Sequence, residues 1–226
     1  MQSRPRPHTG DSNAESLILD AGERLLARTR LQELSVADII DEAGVSRTTF
    51  YFYFSSKIAV LSRLLEIRSE EFWADVVPWL EATGDEAAAE FQRSAASVFE
   101  GWTRHAPLMC AVAENLAADD ELREQWMTIL NRFIDAYAAH IDQGRAEGRY
   151  LPGPDSHQLA AGLVWAVERV LYVGALGIDP RFASIADVAE FIQLLWTSTV
   201  AGAAAPATAT GTPRARAAKA AGRRAR

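Results

Sequence analysis

The stretch Ser46-Arg47-Thr48-Thr49-Phe50-Tyr51-Phe52-Tyr53-Phe54 gathers an unusual density of hydrogen-bonding side chains. At helical spacing Phe50 and Phe54 lie four apart and can bury together. That leaves Arg47, Thr48, Thr49, Tyr51 and Tyr53 facing outward. Exposed hydroxyls and one guanidinium suit contacts to phosphate oxygens and to base edges. Lys57, in the first turn of the next helix, is a candidate phosphate contact, and a helix N-terminus favours a nearby phosphate. A helical hairpin with an aromatic core would explain Phe50 and Phe54. It would not explain two threonines and two tyrosines on a short, early helix.

Other chemistries find little support. The four histidines (His8, His105, His140, His157) are scattered, and no HExxH, GxSxG, P-loop or GxGxxG pattern occurs. The single cysteine, Cys110, excludes an internal disulfide and a cysteine-clustered metal site, and reads as a small buried hydrophobe. No catalytic residue, metal or cofactor is therefore expected. The rival reading is a helical protein-interaction module without nucleic-acid binding. It predicts that Thr48, Thr49, Tyr51 and Tyr53 can become alanine without loss of function.

The elements that must position these residues read as helices throughout. Ser12 with Glu15 forms a capping box opening the first helix, which carries Leu17, Ile18, Ala21, Leu25 and Leu26. Ser35 with Asp38 opens a second, and Gly44 ends it. Ser46 caps a third almost at once, and Ser55 or Ser56 a fourth that runs toward Trp73 and bends or ends at Pro78. Two short helices joined by Ala43-Gly44-Val45, with one ahead, have the spacing of a helix-turn-helix. Beyond Gly84 longer helices are expected over 86–104, from Pro107 to about 117, from Asp119 or Asp120 to Gly148, over 155–176 and over 184–199. The expectation is an all-α protein of about nine helices. Its divisions are a basic arm (1–11), a DNA-binding unit (12–56), a regulatory and dimerisation domain (57–200) and a disordered Ala/Arg-rich tail (201–226).

The net charge of −7 hides an asymmetry. Eight of the 23 basic residues lie in the termini (Arg4, Arg6, Arg214, Arg216, Lys219, Arg223, Arg224, Arg226), where there is no acid. Residues 11–200 thus hold 15 basic against 30 acidic residues, a body at −15. Such a body cannot bind a polyanion over a broad surface. Nucleic-acid binding must come from a small focused site, helped by the arms; Arg4 and Arg6 suit a narrow minor groove. The first twenty residues lack the apolar stretch of a secretory leader and no apolar run could span a membrane, so a cytoplasmic protein is expected.

Residues 44–57, Gly-Val-Ser-Arg-Thr-Thr-Phe-Tyr-Phe-Tyr-Phe-Ser-Ser-Lys, resemble the signature of TetR-type transcriptional repressors, over a match from 12 to about 65. The resemblance implies a three-helix DNA-binding unit on a larger helical regulatory domain. It implies operator DNA, a homodimer and a small-molecule effector as partners. By it, Ser35, Ser46, Arg47, Thr48, Thr49, Tyr51, Tyr53 and Lys57 take the DNA-contact positions. Many relatives carry a basic residue just after the position of Ser35; here Val36 and Ala37 follow, so that contact is absent.

In one branch of that family, which Val167-Glu168-Arg169-Val170-Leu171-Tyr172 and Leu195-Trp196-Thr197-Ser198 also resemble, an apolar tunnel runs between the regulatory helices. The resemblance places Phe91, Val98, Trp102, Trp126, Leu130 and Phe133 along it. It adds Tyr137, Val164, Val167, Glu168, Leu171, Tyr172 and Trp196. Val164 and Val167 stand where that branch has two asparagines that orient polar ligands. Glu168 beside Arg169 reads as an internal ion pair. An apolar effector with at most one or two polar anchors, Tyr137 and Glu168, is therefore expected. The last two long helices are apolar on more than one side, which calls for a partner face. By the family's pattern, they pair into a four-helix bundle across a twofold axis.

Overall fold

The computed structural model describes residues 11–82, 86–182 and 184–201. The described residues form nine α-helices and no strand. They run α1 (Asp11–Leu26), α2 (Val36–Ala43), α3 (Arg47–Tyr53), α4 (Lys57–Glu81), α5 (Ala87–Arg104), α6 (Ala106–Asn115), α7 (Asp120–Ala146), α8 (Ser156–Ala175) and α9 (Ile185–Trp196). A looser turn continues α9 over Thr197–Ala201. The expected basic arm (residues up to 10), the break at Gly84 and the tail beyond 201 lie outside the described residues.

Local signals explain the small N-terminal unit. The Ser35 hydroxyl accepts from the Asp38 amide at 3.2 Å, and the Asp38 carboxylate accepts from the Ser35 amide at 2.8 Å, a reciprocal capping box. Gly44 ends α2 at φ 66°, a left-handed conformation that costs a side-chain-bearing residue more. Ser46 then caps α3, accepting from the Thr49 amide at 3.0 Å. The unit packs around Ile18, Ala21, Ile39, Phe50 and Phe54, all buried.

Two boundaries differ from expectation. The first helix is already formed at Asp11, so Ser12 lies inside it rather than capping it. Pro78 does not end α4, which continues to Glu81. A proline removes only one helical hydrogen bond, and burial of Val76 and Trp79 on either side holds the turn in place.

α4 joins the two halves of the molecule. It packs on α1 of the N-terminal unit and on α5, α6 and α7 of the rest. Gly101 of α5 lies so close to the Phe72 ring that an added methyl would stand 2.8 Å from a ring carbon, and this near approach seats α5 against α4. α8 packs on α7 and α9, closing a helical bundle over the C-terminal two thirds.

Candidate functional site

α3 turns two faces in opposite directions. Phe50 is fully buried, with its ring 6.1 Å from that of buried Phe54. Ser46, Arg47, Thr48 and Tyr51 are exposed on the other side, and Thr49 and Tyr53 are half-buried. The exposed groups are organised locally. The Arg47 guanidinium lies 5.2 Å from the centre of the Tyr51 ring and 3.5 Å from its hydroxyl, and Ser46 and Thr49 share a hydrogen bond of 2.8 Å. Such pairing fixes long side chains before a partner arrives and reduces the ordering cost of binding. The helix also presents Phe52, 75% exposed, which the sequence reading did not single out. A ring so open on a helix of hydroxyls is suited to apolar contact with a thymine methyl. Alternation of aromatic residues at 50–54 was the available signal.

Ser35 stands exposed at the start of α2, its hydroxyl engaged with Asp38 at 2.7 Å. Lys57 is placed differently from its expected role as a phosphate contact. Its ammonium donates to the carbonyls of Leu31 at 2.6 Å, Leu34 at 2.7 Å and Gln32 at 3.4 Å. The turn between α1 and α2 leaves these carbonyls without helical partners, and Lys57 gathers them onto the start of α4. Arg24 and Arg28 are likewise engaged, each 2.9 Å from Glu42. Arg30 and Arg47 remain as exposed cations of this unit outside any ion pair among the described residues.

The C-terminal half encloses a cavity of about 140 Å³. Phe91, Val98 and Trp102 of α5 line it, with Trp126, Leu130, Phe133 and Tyr137 of α7. Val164, Val167, Glu168 and Leu171 of α8 and Trp196 of α9 complete the set brought together from the sequence reading. Tyr172 is not in the lining. Its hydroxyl reaches Glu114 at 3.4 Å on the outside, and its ring lies under Arg169. One turn of α8 separates inside from outside here: residues 164, 167, 168 and 171 share one face, and 172 falls beyond it.

Sequence reasoning missed the wall contributed by α4: Leu65, Ser69, Phe72, Val76 and Trp79. Their spacing is helical, and such a stripe reads as ordinary core. Trp79 is the hub of this wall, with ring centres at 5.1 Å from Phe91, 5.2 Å from Tyr137 and 4.9 Å from both His140 and Trp196. Edge-on packing of large rings leaves space that aliphatic side chains would fill.

The cavity is apolar apart from a few groups. Glu168 is 6% exposed, and its Oε2 has no hydrogen-bond partner among the described residues. The expected ion pair with Arg169 closes only to 3.7 Å, because the guanidinium turns out toward solvent over Tyr172. Burial raises the Glu168 pKa, opposed by the charge of Arg169. The indole N–H of Trp126 is also buried without a partner among the described residues. Burial raises the Tyr137 pKa as well, keeping the phenol neutral. Cys110 is buried, and burial together with the charges of Glu114 and Glu168 pushes its thiol up to about 11, so it is protonated and inert at neutral pH.

A polar cluster joins the two halves. Glu23 of α1 holds Arg68 of α4 at 2.7 Å and is hydrogen-bonded through its other oxygen to His105, at the corner between α5 and α6. Arg68 reaches Glu71 as well, at 2.6 Å. Burial pushes the Glu23 pKa up, but hydrogen bonds from Arg68 and His105 outweigh it and the carboxyl stays below its ordinary value. Gln32 to Asn115 (3.3 Å) and Gln125 to the Ser62 carbonyl (2.9 Å) add two further ties between α4, the N-terminal unit and the bundle. No helix among the described residues is long and apolar enough to cross a membrane.

Comparison with known proteins agrees with this arrangement. Residues 18–64 match the family described as bacterial regulatory proteins, tetR family. Residues 91–202 match the C-terminal domain of the transcriptional regulator EthR. The chain is 33% identical over 198 residues to the HTH-type transcriptional regulator EthR of Mycobacterium tuberculosis, covering 86% of this chain and 89% of that protein. It is 30% identical to EthR of Mycolicibacterium smegmatis, covering 86% and 88%. Among solved structures, a putative TetR-family regulator from Rhodococcus superposes with a TM-score of 0.70 at 19% identity, over 82% of this chain and 98% of that one. These relatives are regulators rather than enzymes, and the chain belongs to the TetR family of DNA-binding transcriptional regulators, with an EthR-type C-terminal domain.

Proposed function

We propose that the chain is a homodimeric, cytoplasmic repressor that holds a pseudo-palindromic operator and releases it when a small, largely apolar effector enters the cavity. The observation that carries the DNA contact is the outward, preassembled face of Arg47, Thr48, Thr49 and Tyr51 on a helix whose opposite face is anchored by Phe50. In this reading Phe52 and Tyr53 add contacts, and Ser35, Ser46 and Lys57 hold the helix ends and corner that aim α3. Direct phosphate contact by Ser35 and Ser46 remains compatible with their exposure.

Dimerisation is supported by apolar side chains left open on the last two helices, Trp165 on α8 (37% exposed) and Leu194 on α9 (46% exposed). A twofold pairing of these helices covers both and carries two copies of α3 to successive major-groove faces. Effector release then follows as a population shift. A ligand that binds better to a conformation with wrongly spaced α3 helices draws the dimer off its operator. α4 is the connection, since it lines the cavity with Phe72, Val76 and Trp79 and packs on α1 with its first turns.

A gel shift with the promoter region beside the chain's own gene tests the reading. The expected result is binding that weakens steeply with salt and is at least about fivefold weaker in Thr49→Ala and Tyr51→Phe. Variants that bind as the parent does would instead favour the protein-interaction module.

A further inference from the structure

Resting on the reading of the cavity as the effector site, we infer that its ligand class is a monocationic amphiphile, a protonated amine on an apolar body, with the nitrogen seated at Glu168. Glu168 is 6% exposed, lies on the cavity face of α8 and has an oxygen without a hydrogen bond from any described residue. Arg169 does not discharge this demand: its guanidinium is exposed, laid over Tyr172, and no nearer than 3.7 Å.

Glu168 is the acidic side chain of the lining, and no basic side chain accompanies it. A buried carboxylate without a hydrogen-bonded counter-charge is costly. A ligand that brings an N–H donor with a positive charge meets both deficits at once, and a charge-assisted hydrogen bond is roughly twice as strong as a neutral one. The other orphaned group, the Trp126 indole, is a donor and serves an acceptor elsewhere on the ligand. The remaining walls, Trp79, Phe91, Trp102 and Phe133 among them, take a hydrocarbon body. Burial holds the Glu168 carboxyl above its ordinary range, and a cation beside it reverses that shift. An anionic amphiphile meets the reverse situation, a second carboxylate facing Glu168. The net charge of −15 over residues 11–200 also favours approach of cations over anions.

Three probes with one hydrocarbon chain isolate the head group: decylamine, decan-1-ol and decanoate. Binding to the full-length protein at neutral pH is read by calorimetry, with quenching of tryptophan fluorescence as a second signal, because Trp79, Trp102, Trp126 and Trp196 line the cavity. The expected order is amine, then alcohol, then carboxylate, with the amine at least about tenfold tighter than the alcohol. In Glu168→Gln the amine's advantage falls below about threefold while the alcohol binds as before. The preference in the unaltered protein is informative even if the variant folds poorly. An alcohol that binds as tightly as the amine, or an amine advantage that survives Glu168→Gln, overturns the inference and leaves the cavity intact as a site. Absence of saturable binding by amine and alcohol alike removes the cavity reading itself.

Discussion

Glu23 and His105 stand 82 residues apart in the chain and are hydrogen-bonded to each other. Glu23 belongs to the unit that carries the DNA-facing helix, and His105 follows α5 directly, three residues after the cavity-lining Trp102. Arg68 of α4 completes the junction at 2.7 Å from Glu23. The end of α5 is thus tied to α1 through one side chain as well as through α4.

Glu23→Ala should weaken operator binding by about five- to tenfold without touching DNA, because the DNA-facing unit then samples wrong orientations and the competent fraction falls. Fluorescence anisotropy with labelled duplex measures this, with hydrogen exchange in α1 as a check on loosening. Operator affinity equal to the parent's, with α1 exchange raised, would show that this junction does not set the orientation.

The exposed face of α3 separates binding from stability. Phe52→Ala and Tyr51→Phe should leave the melting temperature nearly unchanged, since Phe52 and Tyr51 are 75% and 46% exposed. Each should cost about 1–3 kcal/mol of operator binding if the face reads bases. Phe50→Ala should cost about 3–5 kcal/mol of stability, as a fully buried ring is lost from a small core. Equal operator affinity in the first two variants would contradict the assignment.

Lys57→Met distinguishes a structural from a phosphate-binding lysine. Its three carbonyl partners predict a lower melting temperature and weaker operator binding, with the slope of log affinity against log salt unchanged. A phosphate contact would instead reduce that slope by about one per lysine lost, with little change in melting.

Burial lowers the His140 pKa, aided by the charge of Arg149. His140 is neutral in the fold, 2.8 Å from the Tyr150 hydroxyl. The unfolded chain binds the proton more readily, so His140's contribution to stability is complete above about 6.5 and is lost as pH falls below that value. The melting temperature should drop between pH 7.5 and 5.5, and His140→Asn should flatten that drop. An unchanged pH slope in the variant would remove His140 from the account.

What the sequence made legible follows from range. The α2 and α3 helices announce themselves through contacts three or four residues long: Ser35 with Asp38, Gly44 at the stop, Ser46 with Thr49, Phe50 with Phe54. The cavity positions on α5, α7, α8 and α9 came through resemblance, since their periodicity alone reads as core. Tyr172 fell outside because one residue of helical rotation carries a side chain around the wall. The α4 wall, the target of Lys57 and the partners of Glu23 had no local signature. Lys57 meets backbone carbonyls 23 to 26 residues upstream, and Glu23 meets His105 across the fold. Glu168 and Arg169 are neighbours in sequence, yet consecutive residues on a helix point about 100° apart, so adjacency did not make a close pair.

The central claim is that the hydroxyl-bearing side of α3 reads base edges in the major groove, twice in each twofold assembly. Methylation interference at guanine N7 on the bound operator, with the protomer-to-duplex ratio measured on the same complex, tests it most directly. The account predicts two symmetric sets of interfering guanines in successive major grooves, an even number of protomers per duplex, and loss of both sets in Thr49→Ala. A single set bound by one protomer, or an unaltered pattern in that variant, would contradict it.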